Sequence, residues 1–183
     1  MNPLVRLAIC WVIGFLLSSM CTVCAQENDN SKPEFNRNKV SLSITHTHIP
    51  TGINENGQSS WLMLPSWSLD YDYSITGKWG AGLHTDLVIE DFQYEIEEGI
   101  ILKRSKPFSM ALVGTRKFGE HFSLFAGGGM EVASEGTLGL FRIGGDCGWE
   151  LPGEWELSLN LVFDFKVDNY NAWVLGFGVG KRF

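Results

Sequence analysis

The sequence predicts an all-β fold, an eight-stranded antiparallel up-and-down transmembrane β-barrel, and three observations predict it. Beyond residue 38 the chain reads as strands of roughly 11 to 16 residues with period-two alternation. The alternation sets bulky apolar side chains against glycine, serine and charge, and the strands are parted in turn by very short and by longer polar connections. Composition agrees: 183 residues suit one domain, 44% hydrophobic and 13% aromatic residues exclude a disordered chain, and 21 glycines suit close backbone packing in sheets.

The first 25 residues set the compartment. Arg6 precedes an apolar run from Leu7 to Leu17, and Val23-Cys24-Ala25 offers a cleavage site before the polar Gln26-Glu27-Asn28-Asp29-Asn30, so 1-25 reads as a secretory signal peptide. The run is short against the roughly 20 apolar residues of a spanning helix. Acylation at Cys21 or Cys24 is the alternative processing, disfavoured by the bulk of Met20 and Val23. With the leader removed only Cys147 remains, which excludes an intramolecular disulfide. The formal charge of −7 becomes −8 without Arg6, and nothing in that balance invites nucleic acid. Residues 26-38 read as a polar periplasmic segment and 39-183 as the barrel domain.

The first strand, 39-49, carries Val40, Leu42 and Ile44 on one parity, continued by His46 and His48. In the second, 60-75, Trp61, Met63, Trp67, Leu69, Tyr71, Tyr73 and Ile75 oppose Ser66, Ser68, Asp70, Asp72 and Ser74. The turn Thr76-Gly77-Lys78 leads to the third, 79-96, and Glu97-Glu98-Gly99 to the fourth, 100-118. Gly119-Glu120-His121 leads to the fifth, 122-132. Its Gly127-Gly128-Gly129 run has no following Lys-Ser, so it reads as barrel packing and not as a phosphate loop. The sixth, 138-151, and the seventh, 155-166, flank Pro152-Gly153-Glu154, and the seventh sets Trp155, Leu157, Leu159, Leu161, Phe163 and Phe165 against Glu156, Ser158, Asn160, Asp164 and Lys166. In the eighth, 171-183, Trp173, Leu175, Phe177 and Val179 alternate with three glycines.

The apolar face is therefore the bulky one. A soluble barrel keeps its large apolar residues inside, whereas a narrow barrel in lipid turns them outward and fills its interior with small or polar groups. Trp61, Trp67, Trp79, Trp149, Trp155 and Trp173 share the apolar parity and most lie near strand ends, as two aromatic girdles require. In lipid every backbone polar group needs a protein partner, so the sheet must close on itself. The three glycine-containing turns mark the periplasmic end, and the connections near 50-59, 97-99, 133-137 and 167-170 face outward from the cell.

The last strand ends on alternating Phe177, Val179 and a terminal Phe183, which resembles the C-terminal assembly signal of outer-membrane barrels. With the leader and eight strands, nearly the whole mature chain resembles the small outer-membrane β-barrel family, the OmpA membrane domain and OmpX among its members. The resemblance implies a Gram-negative outer-membrane location, insertion by the barrel assembly machinery with Phe183 recognised, and contact with outer-membrane lipid and lipopolysaccharide. It does not imply an activity, because such barrels host structural, adhesive and enzymatic members.

Turn lengths set expected pairings: Asp70 opposite His84, Ser68 opposite Asp86, Arg142 opposite Asp164 and Asp146 opposite Asn160, all pointing inward. Asp70, His84, Asp86, Arg142, Asp146 and Asp164 read as an interior salt-bridge lattice filling a barrel too narrow for a channel, with a proton relay or hydrolytic site as the alternative. His46 and His48 share a face but read as rim residues, and no metal or cofactor is expected. His121-Phe122-Ser123 resembles the His-x-Ser element of a lipid A deacylase, but it falls at the tight-turn end, away from an outer-leaflet substrate. Phe92, Tyr94 and Ile96 with Glu97, Glu98 and Gly99 suggest that 91-106 is a protruding hairpin, pairing Asp91 with Lys106 and Gln93 with Arg104. Its exposed edge would accept an extracellular protein by strand addition, on the analogy of an extension in OmpX. The expected protein is a monomeric, non-enzymatic outer-membrane barrel with a structural or surface-interaction role. The alternatives are a membrane-embedded lipid-modifying hydrolase or acyltransferase, and a secreted soluble ligand-binding barrel.

Overall fold

The computed structural model describes residues 36–54, 57–96, 100–167 and 169–183. The leader, most of the 26-38 segment and the hairpin tip Glu97, Glu98 and Gly99 lie outside the described residues. Ten strands are described: β1 (Asn38–Ile53), β2 (Ser59–Ser74), β3 (Trp79–Val88), β4 (Asp91–Glu95), β5 (Ile101–Ser105), β6 (Phe108–Phe118), β7 (Phe122–Ala133), β8 (Gly136–Leu151), β9 (Trp155–Lys166) and β10 (Asn171–Arg182).

Eight of them, β1, β2, β3, β6, β7, β8, β9 and β10, pair antiparallel in that order and close through β10 onto β1. The seam runs from Lys39 opposite Arg182 to His48 opposite Trp173. It is finished at the short-turn end by Asn38 N–H donating to the Phe183 carbonyl at 3.2 Å and Phe183 N–H donating back at 2.9 Å. Closure leaves no wall edge unpaired, which is what a backbone surrounded by hydrocarbon demands.

The bulky parity faces outward. Leu42, Ile44, Trp67, Leu69, Leu112, Leu124, Phe141, Ile143, Leu161, Leu175 and Phe177 are all exposed, while Ser41, Ser43, Thr45, Ser66, Ser68, Ser158 and Asn160 are buried inside. This is the inverse of a soluble barrel. The interior is more apolar than its alternation suggests, however. Ala111, Val113, Phe125, Leu140, Val162 and Val174 form a buried inner cluster. Phe125 fits because β8 presents Gly144 beside it, where an added Cβ would lie 2.5 Å from the ring.

Two departures from the expected strands matter for function. The connection between β7 and β8 is only Ser134-Glu135, a tight turn where a longer loop was expected. The predicted third and fourth strands both break, at Ile89-Glu90 and at Lys106-Pro107. Lys106 adopts a φ of 44°, and Pro107 has no N–H to continue a ladder. The chain beyond the break does not extend the wall. β4 pairs with the upper end of β1, Tyr94 opposite Gly52 and Gln93 opposite Ile53. Gly52 also faces Ser60 of β2, so β4 occupies the other edge of β1, the side of β10, and the β4–β5 hairpin bridges the barrel mouth.

Candidate functional site

Charged residues in a strand's inward parity have no water to turn to, so each must find a partner across the lumen. The register brings Asp70 opposite His84, Ser68 opposite Asp86, Arg142 opposite Asp164 and Asp146 opposite Asn160. Arg142, 1% exposed, forms a fork to Asp164, with Nε–Oδ1 and Nη2–Oδ2 both 2.7 Å, and reaches Asp86 at 2.6 Å. One guanidinium thus joins three wall strands, β3, β8 and β9.

Toward the short-turn end His84 Nε2 lies 3.1 Å from Asp72 Oδ1, and the His84 ring meets Phe125 edge-on at 4.6 Å. Asp70 does not bond His84; it accepts the Thr85 N–H at 3.0 Å. Lys39 Nζ links Asp72 (3.7 Å) to Glu156 (3.2 Å), and Arg182 bonds both Glu150 and Glu156. Lys39, Asp72, Glu156 and Arg182 complete the lattice and were missed as site residues. Their inward parity is visible in the sequence, but their partners come from strands distant along the chain. His84 has an acidic neighbour, yet no hydroxyl is bonded to its ring among the described residues. The His121 Nδ1 donates to the Gly148 carbonyl at 2.9 Å in the short turn. Among the described residues no group of His, Cys, Asp and Glu is placed to hold a metal, and His46 and His48 sit on the outer face.

The mouth corrects the reading of the hairpin. Its register is Asp91 opposite Ser105, Gln93 opposite Lys103 and Tyr94 opposite Leu102, one residue from the expected pairing. Phe92 and Tyr94 are 5% and 2% exposed, packed with Ile49, Leu64, Val88 and Tyr170. The Tyr94 and Tyr170 rings lie 4.5 Å apart and the Phe92 and Tyr170 rings 5.5 Å. The physical reason is parity: residues 92 and 94 share the inward parity of His84, Asp86 and Val88, so the apolar pair turns into the mouth. Ile96 alone of the three remains exposed.

Beneath these rings Glu131, 1% exposed, accepts Arg104 Nε (3.1 Å), Arg104 Nη2 (2.7 Å) and the Tyr170 hydroxyl (2.8 Å), with Lys166 Nζ at 3.3 Å. Arg104 also donates to the Gly136 carbonyl at 3.0 Å. Burial and the Glu131 carboxylate push the Tyr170 phenol well up from its ordinary range, so it stays a donor. Outside, Glu135 accepts the Ser105 N–H at 3.1 Å and the Ser105 hydroxyl at 2.7 Å, and these bonds hold its carboxyl down at about 2. Among the described residues no further strand pairs with the outer edge of β5, and Ile100, Ile101 and Leu102 beside it are exposed.

The six tryptophans all lie on the outward parity. Trp61 and Trp173 stand toward the mouth, Trp79, Trp149 and Trp155 at the short-turn end, and Trp67 stands opposite Leu87, toward the mouth end of β3.

No family model matches the sequence and no curated protein matches it. Solved structures do match in shape. Ail, the attachment invasion locus protein of Yersinia pestis, aligns with 14% identity and a TM-score of 0.50 over 81% of this chain and 100% of its own. Neisserial surface protein A aligns with 12% identity and a TM-score of 0.53 over 80% and 97%. The outer membrane protein OprG from Pseudomonas aeruginosa aligns with 13% identity and a TM-score of 0.53 over 80% and 96%. With a closed eight-stranded wall, an apolar exterior and these neighbours, the chain has the fold of the small outer-membrane β-barrels.

Proposed function

We propose that the protein is a monomeric, non-enzymatic outer-membrane barrel that serves as a surface-interaction scaffold, with its three glycine-containing turns, 76-78, 119-121 and 152-154, toward the periplasm and the bridged mouth toward the outside. The observation that carries this reading is the combination of an apolar exterior with a lumen filled by paired side chains and a mouth closed by its own hairpin. Such a molecule offers lipid a wall and extracellular partners a surface. The outward faces would contact outer-membrane lipid and lipopolysaccharide, and the barrel assembly machinery would recognise Phe177, Val179 and Phe183.

The partner surface is the free edge of β5, with Ile100, Ile101, Leu102 and Lys103, which suits an extended segment of another protein. Phe92 and Tyr94 serve it indirectly, by fixing the hairpin over the mouth. The test is cell fractionation with unheated and heated gel electrophoresis of the mature protein beside a version lacking Phe183. Outer-membrane recovery of a heat-modifiable band, reduced by the deletion, is expected. Recovery as a soluble periplasmic protein would overturn the proposal.

A further inference from the structure

Arginine and lysine are nearly absent from the lipid-facing parity of the wall. Through the eight described wall strands that parity carries only two of them, Arg116 on β6 and Lys181 on β10. Both lie at the short-turn end, and both stand directly across from a tryptophan in the ladder: Arg116 opposite Trp79 and Lys181 opposite Trp155. The Arg116 guanidinium sits 5.0 Å from the centre of Trp79 and 5.1 Å from that of Phe118. Lys181 Nζ sits 5.1 Å from the centre of Trp155 and donates to the Gly153 carbonyl.

Neither cation has a carboxylate within ion-pairing distance among the described residues, whereas Lys39, Lys103, Arg104, Lys117, Arg142, Lys166 and Arg182 all do. The cations on the inward parity of the wall strands are paired with carboxylates, and the two on its outward parity are not. An indole at the boundary of hydrocarbon and water holds such a cation at headgroup depth, where its free N–H donors face anions. From β1 around the wall, β6 is the fourth strand and β10 the eighth, so the two pairs stand on opposite sides of the barrel.

We propose that the Trp79–Arg116–Phe118 and Trp155–Lys181 clusters are two binding sites for the phosphate of an anionic glycerophospholipid in the leaflet that surrounds the short turns. The inference rests on the outer-membrane reading above. Each basic side chain at a charged membrane surface favours anionic lipid by about five-fold, and phosphate is the anion that a guanidinium fork or an ammonium group meets there.

The test refolds the mature protein into phosphatidylethanolamine vesicles in which a fixed fraction of lipid is replaced by brominated phosphatidylglycerol, brominated phosphatidylethanolamine or lipid A. Tryptophan quenching is read, and the heat-modifiable band is monitored in each sample. A band absent in all vesicles would sink the outer-membrane reading itself. With the band present, and with the other mature tryptophans replaced by phenylalanine, brominated phosphatidylglycerol should be enriched at Trp79 and Trp155 about five-fold over its neutral counterpart. The preference should vanish in Arg116→Gln/Lys181→Gln and persist in Arg116→Lys/Lys181→Arg. Equal quenching by both brominated lipids, a preference that survives the glutamine variant, or displacement of phosphatidylglycerol by an equal amount of lipid A would each overturn the assignment.

Discussion

At the residue scale the barrel depends on a few side chains whose full coordination makes them costly to remove. Arg142 is the clearest, because Asp86 and Asp164 lie on separate strands and share its single guanidinium. Truncating it leaves two carboxylates buried without a counter-charge, a loss of about 3–5 kcal/mol. Arg142→Ala should therefore lower the urea midpoint of the refolded barrel markedly, and adding Asp86→Asn with Asp164→Asn should restore part of it. A midpoint unchanged in the single variant would show that the triad is hydrated and dispensable. The pairings themselves were legible: a three-residue turn at 76–78 dictates Asp70 opposite His84, and one at 152–154 dictates Arg142 opposite Asp164. The third member, Asp86, was not joined to Arg142 by any such count, because their strands are brought together only across the lumen.

At the scale of elements the β4–β5 hairpin behaves as a docked unit, held from below by Glu131 and from outside by Glu135. Removing a hydrogen bond from a buried charged acceptor costs about 1.5–3 kcal/mol. Tyr170→Phe should thus raise trypsin cleavage at Lys103 or Arg104 by roughly ten-fold while the wall stays heat-modifiable. Unaltered cleavage would mean that the aromatic packing alone holds the hairpin. The outer anchor has its own pH signature. Glu135 is lowered in the folded state, to about 2 from 4.5, by its bonds to Ser105, so its stabilisation is complete above about pH 4.5 and is lost as pH falls through about 2. Exchange protection of the Ser105 amide should persist at pH 4 and fade only near pH 2; fading between pH 5 and 4 would argue against the contact.

The same element shows where sequence reasoning went astray. Phe92 and Tyr94 looked like an outward continuation because they are bulky and apolar. Counting from His84 and Asp86 instead would have put them on the inward parity. Apolar bulk decides orientation along a wall surrounded by lipid, but beyond the wall the mouth of the barrel is itself an apolar site.

At the scale of the whole molecule, the lattice around Arg142 and the cluster around Phe125 both occupy the lumen, and Phe92, Tyr94 and Tyr170 pack together at its mouth. In planar bilayers the refolded protein should show no steady conductance, and a Phe92→Ser/Tyr94→Ser variant should still show none, because the filling beneath the hairpin remains. Steady openings in the wild type would contradict a packed lumen. The seam is the complementary global feature, since Phe183 reaches Asn38 across the full length of the barrel sequence.

Strand parity, the three glycine-containing turns and the inside-out distribution of bulk are legible residue by residue, because period-two alternation and turn length are local properties written in neighbouring residues. Asp70, His84, Asp86, Arg142, Asp146 and Asp164 could be put on the inward parity in the same way. The closed barrel sets how Lys39, Asp72, Glu156 and Arg182 are shared, that Phe125 and its neighbours pack an apolar layer inside, and that the hairpin folds back over the mouth onto β1. Those outcomes depend on the diameter and closure of the barrel, which bring strands far apart in sequence within reach of one another and which no local period records.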